Sequence, residues 1–144
     1  MNGPKLLVVE DIRDTLAGTL AELAGAGIEI EHVTNVKDAV ACLRRTKYDI
    51  VLLDWRLPLV AGGPVNDDAG LAVLKHTRSP DAGDNQGIPV IVLTAQWSIV
   101  DPATLTEHPN CRYVISKLRM DDITGRTQEI LEARTSPGPR AQGG

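Results

Sequence analysis

Five side chains with complementary chemistry follow four short apolar runs. Glu10 and Asp11 come directly after LLVV, Asp54 after IVLL, Thr94 after VIVL and Lys117 after YVIS. Three carboxylates, a hydroxyl and an ammonium are the parts needed for phosphoryl transfer to a carboxylate. Clustered carboxylates repel: two unit charges about 4 Å apart cost about 4 kcal/mol at an effective dielectric of about 20. A hard divalent cation bound through oxygen offsets this, and Mg2+ suits a few carboxylates plus phosphate and water. Lys117 adds a fixed positive charge, so metal and lysine together would neutralise the oxygens of a transferring phosphoryl group. Thr94 can donate one hydrogen bond to that group. Each residue alone has a plainer role. Asp11 could cap the first helix, Thr94 could cap the segment after its strand, Asp54 could end a strand, and Lys117 could be solvated. Four separate runs each supplying a needed type argue for a shared site.

The elements must then bring these residues together. The runs at residues 6–9, 50–53, 90–93 and 113–115 read as strands buried on both faces, and a weaker alternating run covers residues 28–33. Helical spacing links Ile12, Leu16, Leu20 and Leu23, with Asp11 as cap and Gly25 and Gly27 at the end. A second stripe joins Val36, Ala39, Val40 and Leu43, after Thr34 and Asn35 as cap candidates. Leu71, Val73 and Leu74 open a third helix behind Gly70. Ile123, Thr127, Ile130 and Leu131 make a last one, introduced by Asp121 and Asp122. Pro102 and Pro109 allow residues 97–109 only a short helix beginning near Pro102. Residues 59–69 and 79–87 are long loops. Alternating strands and helices predict an α/β fold, a flavodoxin-like doubly wound five-stranded parallel sheet of order 2-1-3-4-5 with helices on both faces. Ligands bind such sheets beyond the carboxyl ends of the strands, which is where the five side chains fall.

The 144 residues make one domain over residues 1–133, with a disordered Pro/Gly-rich tail at 134–144. There is no Phe, so the core must come from Val, Leu, Ile and Ala. A net charge of -4 gives no nucleic-acid or anionic-membrane footprint. Cys42 and Cys111 lack metal or redox spacing and read as buried free thiols. No stretch approaches the ~20 apolar residues of a membrane span, and the N-terminal apolar run is too short for a signal peptide. A cytoplasmic location is expected.

The segments KLLVVED, DIVLLDWRLP, GLAVL, IPVIVLTA and YVISK, in this order and spacing, resemble a chemotaxis-type response-regulator receiver domain of bacterial two-component signalling over about residues 5–133. The resemblance implies that Asp54 is the phosphoacceptor and that Asp11 and Asp54 bind Mg2+ directly. Glu10 would act through a metal-bound water, and the backbone carbonyl of Arg56 would be the third protein ligand. Thr94 and Lys117 match the family's hydroxyl and lysine. The implied donor is a phosphohistidine on a sensor histidine kinase or histidine phosphotransfer protein. The implied output is a downstream protein partner, with no direct nucleic-acid or membrane contact. No enzymatic activity is implied beyond self-phosphorylation and autodephosphorylation on Asp54.

Several positions depart from the family. Leu118 replaces the proline after the lysine, which puts the placement of Lys117 in question. Val114 stands where the switch aromatic usually lies, and Tyr113 sits one residue earlier, on the opposite face unless a bulge intervenes. The stretch between Pro58 and Gly70 is long. Arg56 and Gln96, two residues beyond Asp54 and Thr94, could overhang the site. Two other readings remain. A haloacid-dehalogenase-like phosphatase would use Asp54, Thr94, Lys117 and Asp121/Asp122, but needs an acid at Arg56. A pseudo-receiver would bind proteins without being phosphorylated. A dinucleotide-binding module is excluded, because no G-x-G-x-x-G follows the first strand. No output segment is recognisable within these residues. The chain either acts through protein contacts alone or is a piece of a longer protein.

Overall fold

The computed structural model describes residues 3–12, 14–95 and 100–135. The chain runs through β1 (Lys5–Val9), α1 (Ala17–Gly25), β2 (Glu29–Val33), α2 (Val36–Arg45) and β3 (Ile50–Asp54). A small antiparallel pair follows, β4 (Leu57–Pro58) and β5 (Val65–Asn66), then α3 (Gly70–His76) and a 3-10 segment (Pro80–Asn85). The chain continues through β6 (Val90–Thr94), α4 (Ala103–Glu107), β7 (Cys111–Ser116) and α5 (Met120–Thr135). Five strands form one parallel sheet in the order β2-β1-β3-β6-β7, which is the expected 2-1-3-4-5 counted over the sheet strands.

The apolar runs are continuous because both faces of the sheet are covered. Leu7, Val9, Val51, Leu53, Val90 and Val92 pack on one face with Ala39 and Leu43 of α2 and Val73 and Leu74 of α3. Leu6, Val8, Ile50, Leu52, Ile91 and Leu93 pack on the other with Leu23 of α1 and Ile123 and Ile130 of α5. Each fully buried Leu or Ile contributes about 1.5–3 kcal/mol. The core is mostly aliphatic as expected, but Tyr48 and Trp55 are also buried in the α2/α3 layer, so it is not built from Val, Leu, Ile and Ala alone. Cys42 and Cys111 are free and buried, as expected.

Local signals set several of the helix ends. Asn35 caps α2, its side chain accepting from the Asp38 backbone N–H at 2.9 Å, an interaction worth about 1 kcal/mol. Asp121 and Asp122 stand in the first turn of α5. Gly27, at φ 92°, turns the chain out of α1. The short α4 begins after Pro102, as its sequence predicts.

The start of α1 differs from the sequence expectation. The helix begins at Ala17 behind Leu16, with no side-chain cap, rather than at Ile12 behind Asp11. Ile12 is 59% exposed, and the residues before the helix form successive turns. Asp11 stands beside the Glu10 and Asp54 carboxylates, six residues before the helix begins, and does not cap it. The loop at residues 79–87 also condenses more than expected. Asn85 donates to the carbonyls of Leu43 and Thr46 at 2.7 Å each and accepts from the Tyr48 N–H at 2.9 Å. Helix α5 runs to Thr135, and residues 136–144, most of the expected tail, lie outside the described residues. No helix among the described residues is long and apolar enough to cross a membrane.

Candidate functional site

Parallel pairing aligns the ends of β1, β3, β6 and β7, and the five candidate side chains with them. Asp54 is the last residue of β3 and Thr94 the last of β6. Glu10 and Asp11 follow β1, and Lys117 follows β7. Carboxylate oxygens of Glu10, Asp11 and Asp54 lie within 4.8 Å of one another. Lys117 Nζ is 2.7 Å from Glu10 Oε1 and 2.9 Å from Asp54 Oδ2. Glu10, Asp54 and Thr94 are buried. The Lys117 backbone N–H donates to the Thr94 carbonyl at 2.9 Å, tying the hydroxyl's strand to the lysine.

The electrostatics are those of an overcrowded acidic pocket. Glu10 is 0% exposed and its pKa is pushed up to about 8, first by burial and then by the adjoining Asp54 carboxylate, with Lys117 pulling the other way. Burial lowers the Lys117 ammonium, but contacts with Glu10 and Asp54 outweigh it and leave its pKa raised. Glu10 Oε1 meets Lys117 only as a close ion pair, and neither Glu10 oxygen has an aligned hydrogen-bond partner. A buried carboxylate held by a single lysine contact, beside two further carboxylates, forms a donor set fit for a hard cation.

Other features were not legible in the sequence. The Glu10 backbone is gripped by β2, its N–H donating to the Val33 carbonyl at 3.0 Å and its carbonyl 2.9 Å from His32 Nε2. His32 stands level with Val8 across the β1–β2 pairing, a position seen only once register is known. Arg56 turns to Asp67, with Nε 3.0 Å from Oδ1, and its backbone N–H lies 3.4 Å from Asp54 Oδ1. Gly70 packs so closely that an added Cβ would lie 2.7 Å from the Asp54 carbonyl oxygen.

The departures resolve in different ways. Lys117 reaches the carboxylates although Leu118 follows it, and Leu118 is 87% exposed. A bulge in β7 is present: Val90 pairs with Cys111 and Ile91 with Tyr113, leaving Arg112 as the extra residue. It does not move Tyr113 to the face of Val114. Tyr113 packs with the α1/α5 core, its hydroxyl 2.7 Å from Glu129 Oε2 and its ring under the Arg126 guanidinium, while Val114 packs on the opposite core. Gln96 lies outside the described residues.

The family model of the response regulator receiver domain matches residues 6–128. The chain belongs to this family. Among curated relatives, the receiver resembles the transcriptional regulatory protein PmrA of Pectobacterium parmentieri, at 28% identity over 88% of this chain and 52% of PmrA. The chain spans about half the length of the curated relatives it matches. Among solved structures, the receiver's fold matches the response regulator TrrA from Thermotoga maritima in complex with Mg(2+)-BeF, with TM-score 0.68 and 22% identity over 89% of this chain and 99% of that one. It also matches the receiver domain of the sensor histidine kinase PA1611 from Pseudomonas aeruginosa, which has a magnesium ion coordinated in its active site cleft. That match has TM-score 0.63 and 24% identity over 91% of this chain and 96% of that one.

Proposed function

We propose that Asp54 accepts a phosphoryl group from a phosphohistidine on a sensor histidine kinase or histidine phosphotransfer protein in the cytoplasm. The resulting change of shape is read by a downstream protein partner. The observation that carries this reading is the meeting of Glu10, Asp11 and Asp54 within 4.8 Å under the Lys117 ammonium, with Thr94 on the neighbouring strand end.

In the transfer, an Asp54 carboxylate oxygen attacks phosphorus and the P–N bond to the donor imidazole breaks, its electron pair leaving with the nitrogen. An acyl phosphate results. Lys117, 2.9 Å from Asp54 Oδ2, orients the nucleophile and balances charge on the phosphoryl oxygens. The Thr94 hydroxyl donates to the same group, and its movement towards the phosphate carries the signal along β6 and β7. Asp11, Asp54 and the Arg56 carbonyl would hold Mg2+, with Glu10 supporting it through water. The bound ion supplies positive charge that makes the crowded acids and the phosphoryl group compatible. Water attack on phosphorus releases phosphate and restores Asp54, and the chain turns over no separate substrate. The phosphatase alternative lacks support. Arg56 stands where its second acid is needed, and Asp122 pairs with Arg119 at 3.1 Å.

The test is incubation with Mg2+ and acetyl phosphate. A gain of one phosphoryl group, labile to base and hydroxylamine, is expected in wild type and absent in Asp54→Ala. No adduct from acetyl phosphate or from any phosphohistidine donor would establish the pseudo-receiver reading. Turnover of many phosphate esters would establish the phosphatase.

A further inference from the structure

A second polar feature lies at the opposite end of the strands. Between the starts of β6 and β7 and the end of α5 is a cleft of about 570 Å³, lined by Arg78, Arg112, Arg134, Gln86, Pro89 and Asn110 among others. Five-residue strands rise about 16 Å, so the cleft is roughly that far from the acid cluster. Three guanidinium groups face it and no described residue lining it is acidic. In a chain of net charge -4 that is a local reversal of sign.

The fold builds this arrangement. Arg112 is the extra residue of the β7 bulge, and a bulge re-aims the side chain that it leaves unpaired in the ladder. Arg78 is held by a hydrogen bond from Nη1 to the Glu107 carbonyl. Arg134 pairs with Asp49 at 3.8 Å. Asn110 stiffens the floor, donating to Thr77 Oγ1 at 2.8 Å and to the Ile88 carbonyl at 2.9 Å. The positive field is felt nearby: His108 is lowered by burial and then by the charge of Arg78.

We propose that this cleft binds a small, multiply charged phosphorylated ligand of the nucleoside polyphosphate class. Arginine forks bind phosphate oxygens in pairs, and three of them around one cleft suit several linked phosphates better than a single carboxylate. The volume lies within the range of about 300–1,000 Å³ typical of small-ligand sites, leaving room for a base and sugar beside the phosphates. The proposal does not depend on phosphorylation of Asp54.

The test is calorimetric titration of the full chain with ATP and with pyrophosphate, in EDTA so that no metal links the ligand to the acid cluster. Saturable binding of ATP is expected, displaced by pyrophosphate and falling steeply with salt. Arg112→Ala, an exposed position, should weaken it at least about tenfold. Arg112→Glu should abolish it, with the thermal melting profile unchanged. No saturable binding of either ligand, or binding unaltered in both variants, overturns the proposal. Tighter capture of a short single-stranded oligonucleotide than of ATP overturns it in favour of a nucleic-acid surface.

Discussion

A carboxylate with no exposed surface, set beside two others, costs free energy whenever it is charged. Glu10 is that carboxylate, and the cost has a definite pH signature. Its pKa rises from 4.5 in the unfolded chain to about 8 in the folded one. Between those values the folded state holds more protons than the unfolded state, so stability falls as pH rises through this window. Glu10→Gln removes the charge and keeps the shape. Urea denaturation in EDTA should show wild type losing stability from pH 4.5 to 8 while the variant changes little. At pH 8 the variant should be more stable by about 1–3 kcal/mol. A wild-type profile flat across the window would refute the burial argument. Added Mg2+ should narrow the gap by stabilising wild type more than the variant, which keeps Asp11, Asp54 and the Arg56 carbonyl but loses the Glu10 charge. The meeting of Glu10, Asp11, Asp54 and Lys117 was legible because each follows a short apolar run that reads as a buried strand. The role of His32 was not, because it depends on which residue of β2 stands beside β1.

At the scale of elements, the hardest constraint is the return of the chain to β3 after the insertion at residues 56–69. The Gly70 N–H donates to the Trp55 carbonyl at 2.9 Å, and an added Cβ would meet the Trp55 Cα at 2.9 Å. Backbone atoms cannot give way cheaply, so Gly70→Ala should cost about 1–3 kcal/mol. It should also displace the strand end that carries Asp54. In a Trp97→Phe background, Trp55 emission should shift and its response to Mg2+ should weaken. An unchanged melting midpoint with an unchanged Mg2+ response would contradict the packing account. Helix boundaries show the same dependence on tertiary context. The α2 cap was readable because Asn35 needs only its own next turn. The α1 start differs from the reading because Asp11 stands at the end of β1 among the carboxylates of Glu10 and Asp54, and helical spacing alone does not show where the first turn closes.

Across the whole molecule, one sheet serves two cores, and neighbouring residues of a single strand belong to different ones. Leu52 and Leu53 of β3 point into opposite layers. Loss of either should therefore be felt by the whole sheet. Leu52→Ala is expected to cost about 2–5 kcal/mol, with urea transitions by tryptophan fluorescence and far-UV circular dichroism moving together. Separate midpoints would indicate two independently melting layers. The strand order was legible because parallel strands with helical crossovers leave few arrangements. The β7 bulge was not, because one residue's slip alters no periodicity strong enough to read in a six-residue strand.

The insertion between Trp55 and Gly70 has ends joined by a hydrogen bond, so it behaves as a cassette plugged into a closed socket. Lengthening such a cassette costs the chain little, about 0.6 kcal/mol per doubling of loop length. Its exposed Leu59, Val60 and Val65 are free to drift while the acids are not. Across evolutionary time the domain can thus acquire new surface beside Asp54 by insertion and deletion, leaving the socket and the strand beneath it untouched.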